Sequence, residues 1–159
     1  MKITIVCGPP ASGKTTYVKN NMQLGDFVVD LDAIRCAVAY AEKDQQTENL
    51  MPTVWSLRDY IYNMIEFRKI ETEHCWIIAC LPKNEDRENL RRRFGASLIC
   101  LEVSKTDCIH RAMNDPKRTN KERQIEIIEK YFKDSKTCRE KNDRSAVMEL
   151  AKYYKDLDD

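Results

Sequence analysis

The sequence predicts an α/β fold, with one parallel sheet and helices on both of its faces. Three observations lead there. Short apolar runs rich in β-branched residues alternate along the chain with longer segments of helical periodicity. The first run, Lys2–Cys7, is apolar almost throughout, the pattern of a strand covered on both faces rather than one. No repeat, linker or low-complexity stretch interrupts the alternation, so the 159 residues read as a single domain, 1–159. Strands alternating with helices inside one domain require right-handed crossovers that place helices above and below the sheet.

The elements follow in order. After Lys2–Cys7, Lys14–Met22 is expected to be helical. Phe27-Val28-Val29 mark a second strand over Asp26–Leu31, and Asp32 is expected to cap a helix running to about Glu42. The polar stretch Lys43–Asn49 separates it from a long helix opened by Pro52. Its apolar set is Val54, Trp55, Leu57, Ile61, Met64, Ile65 and Phe67, at a spacing near 3.6. Cys75–Leu81 is the third strand. Asn84 is expected to cap a helix with Glu85 and Asp86 in its first turn, Arg91-Arg92-Arg93 in its last and Gly95 just beyond. Leu98–Val103 is the fourth strand. Thr106 is placed as the cap of a short helix to about Met113, and Asn114–Arg118 as a loop broken by Pro116. Thr119 and Glu122 form a capping box for a helix to about Lys133. Lys136–Arg144 is too polar for a fifth strand, and Asp143–Leu157 reads as a final amphipathic helix, approximately 143–157.

Composition narrows the function classes. Hydrophobic residues make up 42% and charged residues 33%, which fits a globular protein rather than a disordered or membrane one. The longest apolar runs, Ile3–Cys7 and Cys75–Leu81, fall far short of the roughly 20 residues that cross a bilayer. With no apolar segment of signal length, a cytoplasmic location is expected. Seven cysteines, an odd number without a C-x-x-C pair, read as reduced thiols in apolar runs. Two histidines, His74 and His110, exclude a His-rich metal site. Net charge is +1, but 83–123 is locally basic, which suits contact with phosphates or simply a solvated helix face.

One motif carries chemistry. Gly8-Pro9-Pro10-Ala11-Ser12-Gly13-Lys14-Thr15, followed by Thr16, matches G-x-x-x-x-G-K-[ST] between a buried strand and a helix. Gly8 and Gly13 let the backbone turn tightly and approach a phosphate. The loop N–H groups and the helix N-terminus then point at the β-phosphate. Lys14 reaches the β/γ-phosphates, and the Thr15 hydroxyl is placed to ligate Mg²⁺. ATP with magnesium is the expected ligand. A second signal ends the second strand: Asp30-Leu31-Asp32-Ala33-Ile34-Arg35. Strand C-termini face the ligand crevice of such a sheet, so Asp32 can take a proton from an attacking hydroxyl and Arg35 can hold a phosphate of the acceptor. Asp30 alternates to the other face of the strand and is expected to be structural or to lie near the metal.

These residues resemble a family. G-P-P-A-S-G-K-T-T followed by D-x-x-R is similar to the kinase domain of phage-type polynucleotide 5′-hydroxyl kinases and to related small phage-encoded AAA-like ATPases. The resemblance covers 1–40 well and 97–134 loosely. It implies a P-loop NTPase three-layer sandwich with strand order 2-3-1-4 and a helical lid, here approximately 105–123. It implies that Asp32 is the general base, that Arg35 binds the acceptor's 3′-phosphate, and that Arg111 and Arg118, with Arg123 behind them, are the lid arginines. Two departures stand out. The family often carries an aspartate after the third strand, where this chain reads Ile77-Ile78-Ala79-Cys80-Leu81-Pro82, so magnesium is left to Thr15, water and Asp30 or Asp32. The lid arginines are also spaced more widely than the family's tight pair.

The expected function is transfer of the ATP γ-phosphate to a nucleic-acid 5′-hydroxyl, DNA or RNA. Two alternatives remain open at this point: a small-molecule kinase, and a P-loop ATPase or switch acting through a partner in phage DNA processing. Trp55, Tyr60 and Tyr62 could stack bases, though aromatics at helical spacing usually form core. His110 reads as a surface or capping residue, Cys36 as a small apolar one, and Arg91-Arg92-Arg93 as a complement to its helix dipole.

Overall fold

The computed structural model describes residues 1–41, 45 and 47–135. Four parallel strands, β1 (Lys2–Cys7), β2 (Phe27–Asp30), β3 (His74–Ala79) and β4 (Ser97–Cys100), form one sheet in the order β2-β3-β1-β4. Among the described residues six α-helices accompany them: α1 (Lys14–Asn21), α2 (Leu31–Ala39), α3 (Met51–Glu66), α4 (Asn84–Phe94), α5 (Lys105–Asn114) and α6 (Lys121–Asp134). A 3-10 turn at Glu48–Leu50 leads into α3. The expected C-terminal helix over 143–157 lies outside the described residues.

β1 is central, and five of its six residues are buried, as its unbroken apolar character requires. Ile3 and Ile5, with Cys75, Ile77 and Val29, face Tyr62 and Ile65 of α3 and Phe94 of α4. Val6 and Trp76 face the other way, onto Tyr17 and Val18 of α1. The period-2 alternation of the strands thus supplies two cores and three layers.

Helix ends are where the sequence reading needs correction. Asp30, not Asp32, caps α2: its Oδ1 accepts from the Asp32 backbone N–H at 3.0 Å. Asp32 lies inside the first turn. Ser104 rather than Thr106 caps α5, accepting from Asp107 N at 3.0 Å. Asn120, and not a Thr119–Glu122 box, caps α6 through Arg123 N at 3.1 Å. At α4 the N-cap is Lys83, and the Asn84 amide oxygen instead accepts from Arg87 at 3.3 Å. Gly95 ends α4 in the left-handed conformation, as expected. On α3, Tyr62 is core and meets Phe94 edge-on at 5.3 Å. Trp55 and Tyr60 are 47% and 65% exposed, against the expectation of core. Only the α3 stripe carrying Val54, Tyr62 and Ile65 is buried.

Arg87 is a buried guanidinium that the sequence did not distinguish from its basic neighbours. It is 3% exposed. Its Nε donates to Leu81 O at 2.6 Å and its Nη2 to the Tyr131 hydroxyl at 2.9 Å, so it ties α4 to the end of β3 and to α6. Burial, the dominant influence, pushes the Tyr131 phenol up to about 12, so it stays protonated. Arg91 and Arg92 pair with Glu88, and Arg93 with Glu66. Replacing Arg87 with Met keeps the bulk but strands the Leu81 carbonyl and the Tyr131 hydroxyl. The expected loss of folding stability is about 2–4 kcal/mol, measured by urea denaturation.

Candidate functional site

The site is built on the tight passage from β1 into α1. Gly8 sits at φ 150°, where an added Cβ would lie 2.8 Å from the Leu101 carbonyl oxygen. Ala11 (φ 62°) and Gly13 (φ 93°) are left-handed, and these turns wind the loop around its own N–H groups. Ser12 is fully buried, whereas Thr16 is exposed. Lys14 Nζ donates to Gly8 O at 2.9 Å and to Pro9 O at 2.7 Å, holding the ammonium across the first half of the loop, ahead of Pro10. The sequence-predicted phosphate cradle, Gly8 to Thr16, is therefore one compact unit.

The carboxylate missing after β3 has a counterpart at β2. Thr15 Oγ1 donates to Asp30 Oδ2 at 3.5 Å. Asp30 reaches the loop because it ends the strand and caps the next helix, where strand alternation no longer governs its direction. A hydroxyl beside a carboxylate at a phosphate cradle fits Mg²⁺, which takes one or two protein oxygens and fills the rest of its octahedron with phosphate and water. Among the described residues no group of three His, Cys, Asp or Glu side chains could hold a metal by itself. Asp32, expected to share the metal with Thr15, is exposed one step further along α2.

Arg35 lies on α2 and its Nη1 donates to Gln45 O at 2.8 Å and Thr47 Oγ1 at 2.9 Å. The lid arginines separate. Arg111 Nη1 reaches Ser12 O at 3.5 Å, directly at the loop. Arg118, between α5 and α6, is held by Asp115 at 3.1 Å and by Gln124. Arg123 pairs with Glu48 on the other side of the crevice. Ala11 packs on the core of α5 and α6 formed by Cys108, Ala112 and Ile128, so the loop and these helices share one apolar contact. Burial pushes the Cys108 thiol up to about 11, which makes it a packing residue rather than a nucleophile. His110 is exposed and contacts Asn114 at 2.9 Å, while Cys36 is half-buried.

A family model described as AAA domain matches residues 3–141. The chain belongs to that family. Its four-stranded parallel sheet in the order 2-3-1-4 gives it a P-loop kinase fold. Solved structures with the same fold include a chain of the Pnkp1/Rnl/Hen1 RNA repair complex, at TM-score 0.55 and 13% identity. That match covers 85% of this chain and 46% of the other, so this AAA domain spans about half the length of that relative. Shikimate kinase from Acinetobacter baumannii, in complex with shikimate, matches at TM-score 0.52 and 17% identity over 99% and 93% of the two chains. A gluconokinase from Sinorhizobium meliloti 1021 matches at TM-score 0.52 and 14% identity over 98% and 95%. The comparison with curated proteins gives no match. Among the described residues no helix is long and apolar enough to cross a membrane.

Two outcomes follow from the geometry. Lys14→Ala removes the cation over the loop and is expected to weaken ATP·Mg²⁺ binding and abolish turnover, read by calorimetry and phosphate release. Gly8→Ala is expected to do the same through backbone strain against Leu101, with a lowered melting temperature as the distinguishing mark. For the lid, Arg111→Ala is expected to reduce kcat on the order of 10³ with little change in the KM for ATP. Arg118→Ala, already engaged within the lid, is expected to cost less, and steady-state kinetics on both variants compares them.

Proposed function

We propose that the protein transfers the γ-phosphate of ATP to the 5′-hydroxyl of a nucleic acid. The observation that carries this reading is the arrangement at the end of β2. Asp30 touches Thr15 of the cradle, and Asp32 and Arg35 follow on the first turns of α2. In the reaction the acceptor oxygen attacks the γ-phosphorus, the bond from that phosphorus to the β,γ-bridging oxygen breaks, and ADP leaves. Asp32 takes the proton of the attacking hydroxyl, and Arg35 holds a phosphate on the 3′ side of the acceptor. Lys14 and Arg111 stabilise the charge on the transferring group. Thr15 and Asp30 would hold magnesium, which supplies charge neutralisation on the triphosphate when bound.

Exposure supports a polymeric acceptor. Asp32 lies at the surface, and α2 buries none of its residues fully. Exposed Trp55 and Tyr60 on α3 offer faces on which bases can stack. The likeness to a chain of an RNA repair complex agrees with such an acceptor. The second reading, a small-molecule kinase, draws on the shikimate kinase and the gluconokinase, whose whole lengths this chain matches.

The test compares oligonucleotide phosphorylation by the wild type, Asp32→Asn and Arg35→Ala at fixed ATP. Asp32→Asn is expected to lower transfer by roughly 10² to 10⁴ with ATP affinity unchanged. Because Asp30 is the helix cap, this loss is not a capping effect. Arg35→Ala is expected to raise the KM of acceptors that carry a 3′-phosphate more than that of acceptors without one. Full activity in Asp32→Asn overturns the general-base role.

A further inference from the structure

The ion pair between Arg123 and Glu48 joins parts of the chain that the topology keeps far apart. Arg123 lies on α6, which follows β4, one edge of the sheet. Glu48 lies between α2 and α3, which follow β2, the opposite edge. At about 4.8 Å per strand, those edges are roughly 14 Å apart, with the P-loop at the end of β1 between them. The pair therefore links the segments that follow the two edge strands, on either side of β1.

Both ends of the contact are anchored. On the lid side, the Asn120 cap holds the Arg123 backbone N–H at 3.1 Å. Lys121 Nζ donates to Ala112 O at 3.1 Å and to Asp115 O at 2.6 Å, fixing the start of α6 on α5. On the other side, Thr47, next to Glu48, accepts from Arg35 at 2.9 Å. A backbone hydrogen bond first, then the Arg123 guanidinium and more weakly Arg35, hold the Glu48 carboxyl below its ordinary range.

We propose that Glu48 and Arg123 form a strap that holds the lid over the P-loop and ties it to the shelf carrying Arg35. Glu48 is a positioning residue that acts through Arg123. The strap rests on nucleotide binding at the P-loop and is independent of which acceptor is used. The two side chains are 41% and 52% exposed, so the pair is weak, on the order of a 1.5- to 5-fold effect. Weakness suits a closure that opens in every turnover.

The test uses the full chain as wild type, Glu48→Gln, Arg123→Gln, Glu48→Arg, Arg123→Glu and the double reversal. Two quantities are read: hydrogen exchange over 105–134 with a non-hydrolysable ATP analogue and magnesium, and the initial rate at which γ-phosphate leaves ATP. Glu48→Gln and Arg123→Gln are each expected to speed exchange in the lid and to lower kcat about two- to fivefold. Glu48→Arg sets a cation against Arg123 and Arg35 and is expected to do more. The double reversal is expected to recover most of both losses, an outcome that simple loss of packing would not give. The gap between wild type and Glu48→Gln is expected to narrow as salt rises, since exposed charges are screened. Unchanged exchange and rate in Glu48→Gln, or no recovery in the double reversal, overturns the strap. If the wild type releases or transfers no γ-phosphate, the phosphotransfer reading fails, and lid exchange in the nucleotide-free wild type and Glu48→Gln still decides the strap.

Discussion

The close approach of two backbones, at Gly8 and Leu101, is the constraint on which the rest of the site depends. Leu101 N donates to Cys7 O at 2.8 Å, which continues the β1–β4 pairing to the last residue before the loop. One residue on, the chain must leave the sheet with no room for a Cβ. The loop that results turns its own carbonyls toward Lys14 and presents Ala11 to the lid core. It also delivers Thr15 to the end of β2, within reach of Asp30. A single tight exit from a buried central strand thus sets the relative positions of cation, hydroxyl, carboxylate and lid.

The ends of β2 and β4 then divide the work. Beyond β4, α5 and α6 form a small body with its own core, joined to the loop by Ala11 and by the Arg111 contact to Ser12. Beyond β2, the start of α2 carries two acids and an arginine, with Asp30 and Arg35 half-buried and Asp32 exposed. The ion pair between Glu48 and Arg123 links the two sides. Arg87 ties the C-terminal part of α6 to the segment just after β3 through its bonds to Leu81 and Tyr131.

The strands and the phosphate loop were legible in the sequence because each rests on local backbone rules, while the strand order followed from the family resemblance. β1 is apolar on both faces, and Gly8 and Gly13 stand where the turns need them. The helix caps were misplaced by one or two residues for a physical reason. Asp30 and Asp32, Ser104 and Thr106, and Thr119 and Asn120 are interchangeable as capping chemistry, and only the backbone angles choose between them. Asp30, expected to be structural or to lie near the metal, both caps α2 and stands beside Thr15. Arg87 was invisible because nothing local marks one arginine in a basic stretch as buried. Glu48 and Arg123 were unread as a pair because 75 positions separate them. Trp55 and Tyr60 followed the helical period yet stay exposed, because only one stripe of α3 meets the sheet.

The central claim is that a γ-phosphoryl group held at Gly8–Thr15 moves to a hydroxyl brought in at the end of β2. The direct measurement is to incubate the protein with γ-labelled ATP and magnesium in the presence of 5′-hydroxyl DNA and RNA oligonucleotides, hydroxy acids, sugars and nucleosides, and to follow the label. The account predicts label on the 5′ end of an oligonucleotide. Label on a small molecule alone would move the activity to the small-molecule kinases, and label released only as free phosphate would contradict transfer to a hydroxyl acceptor.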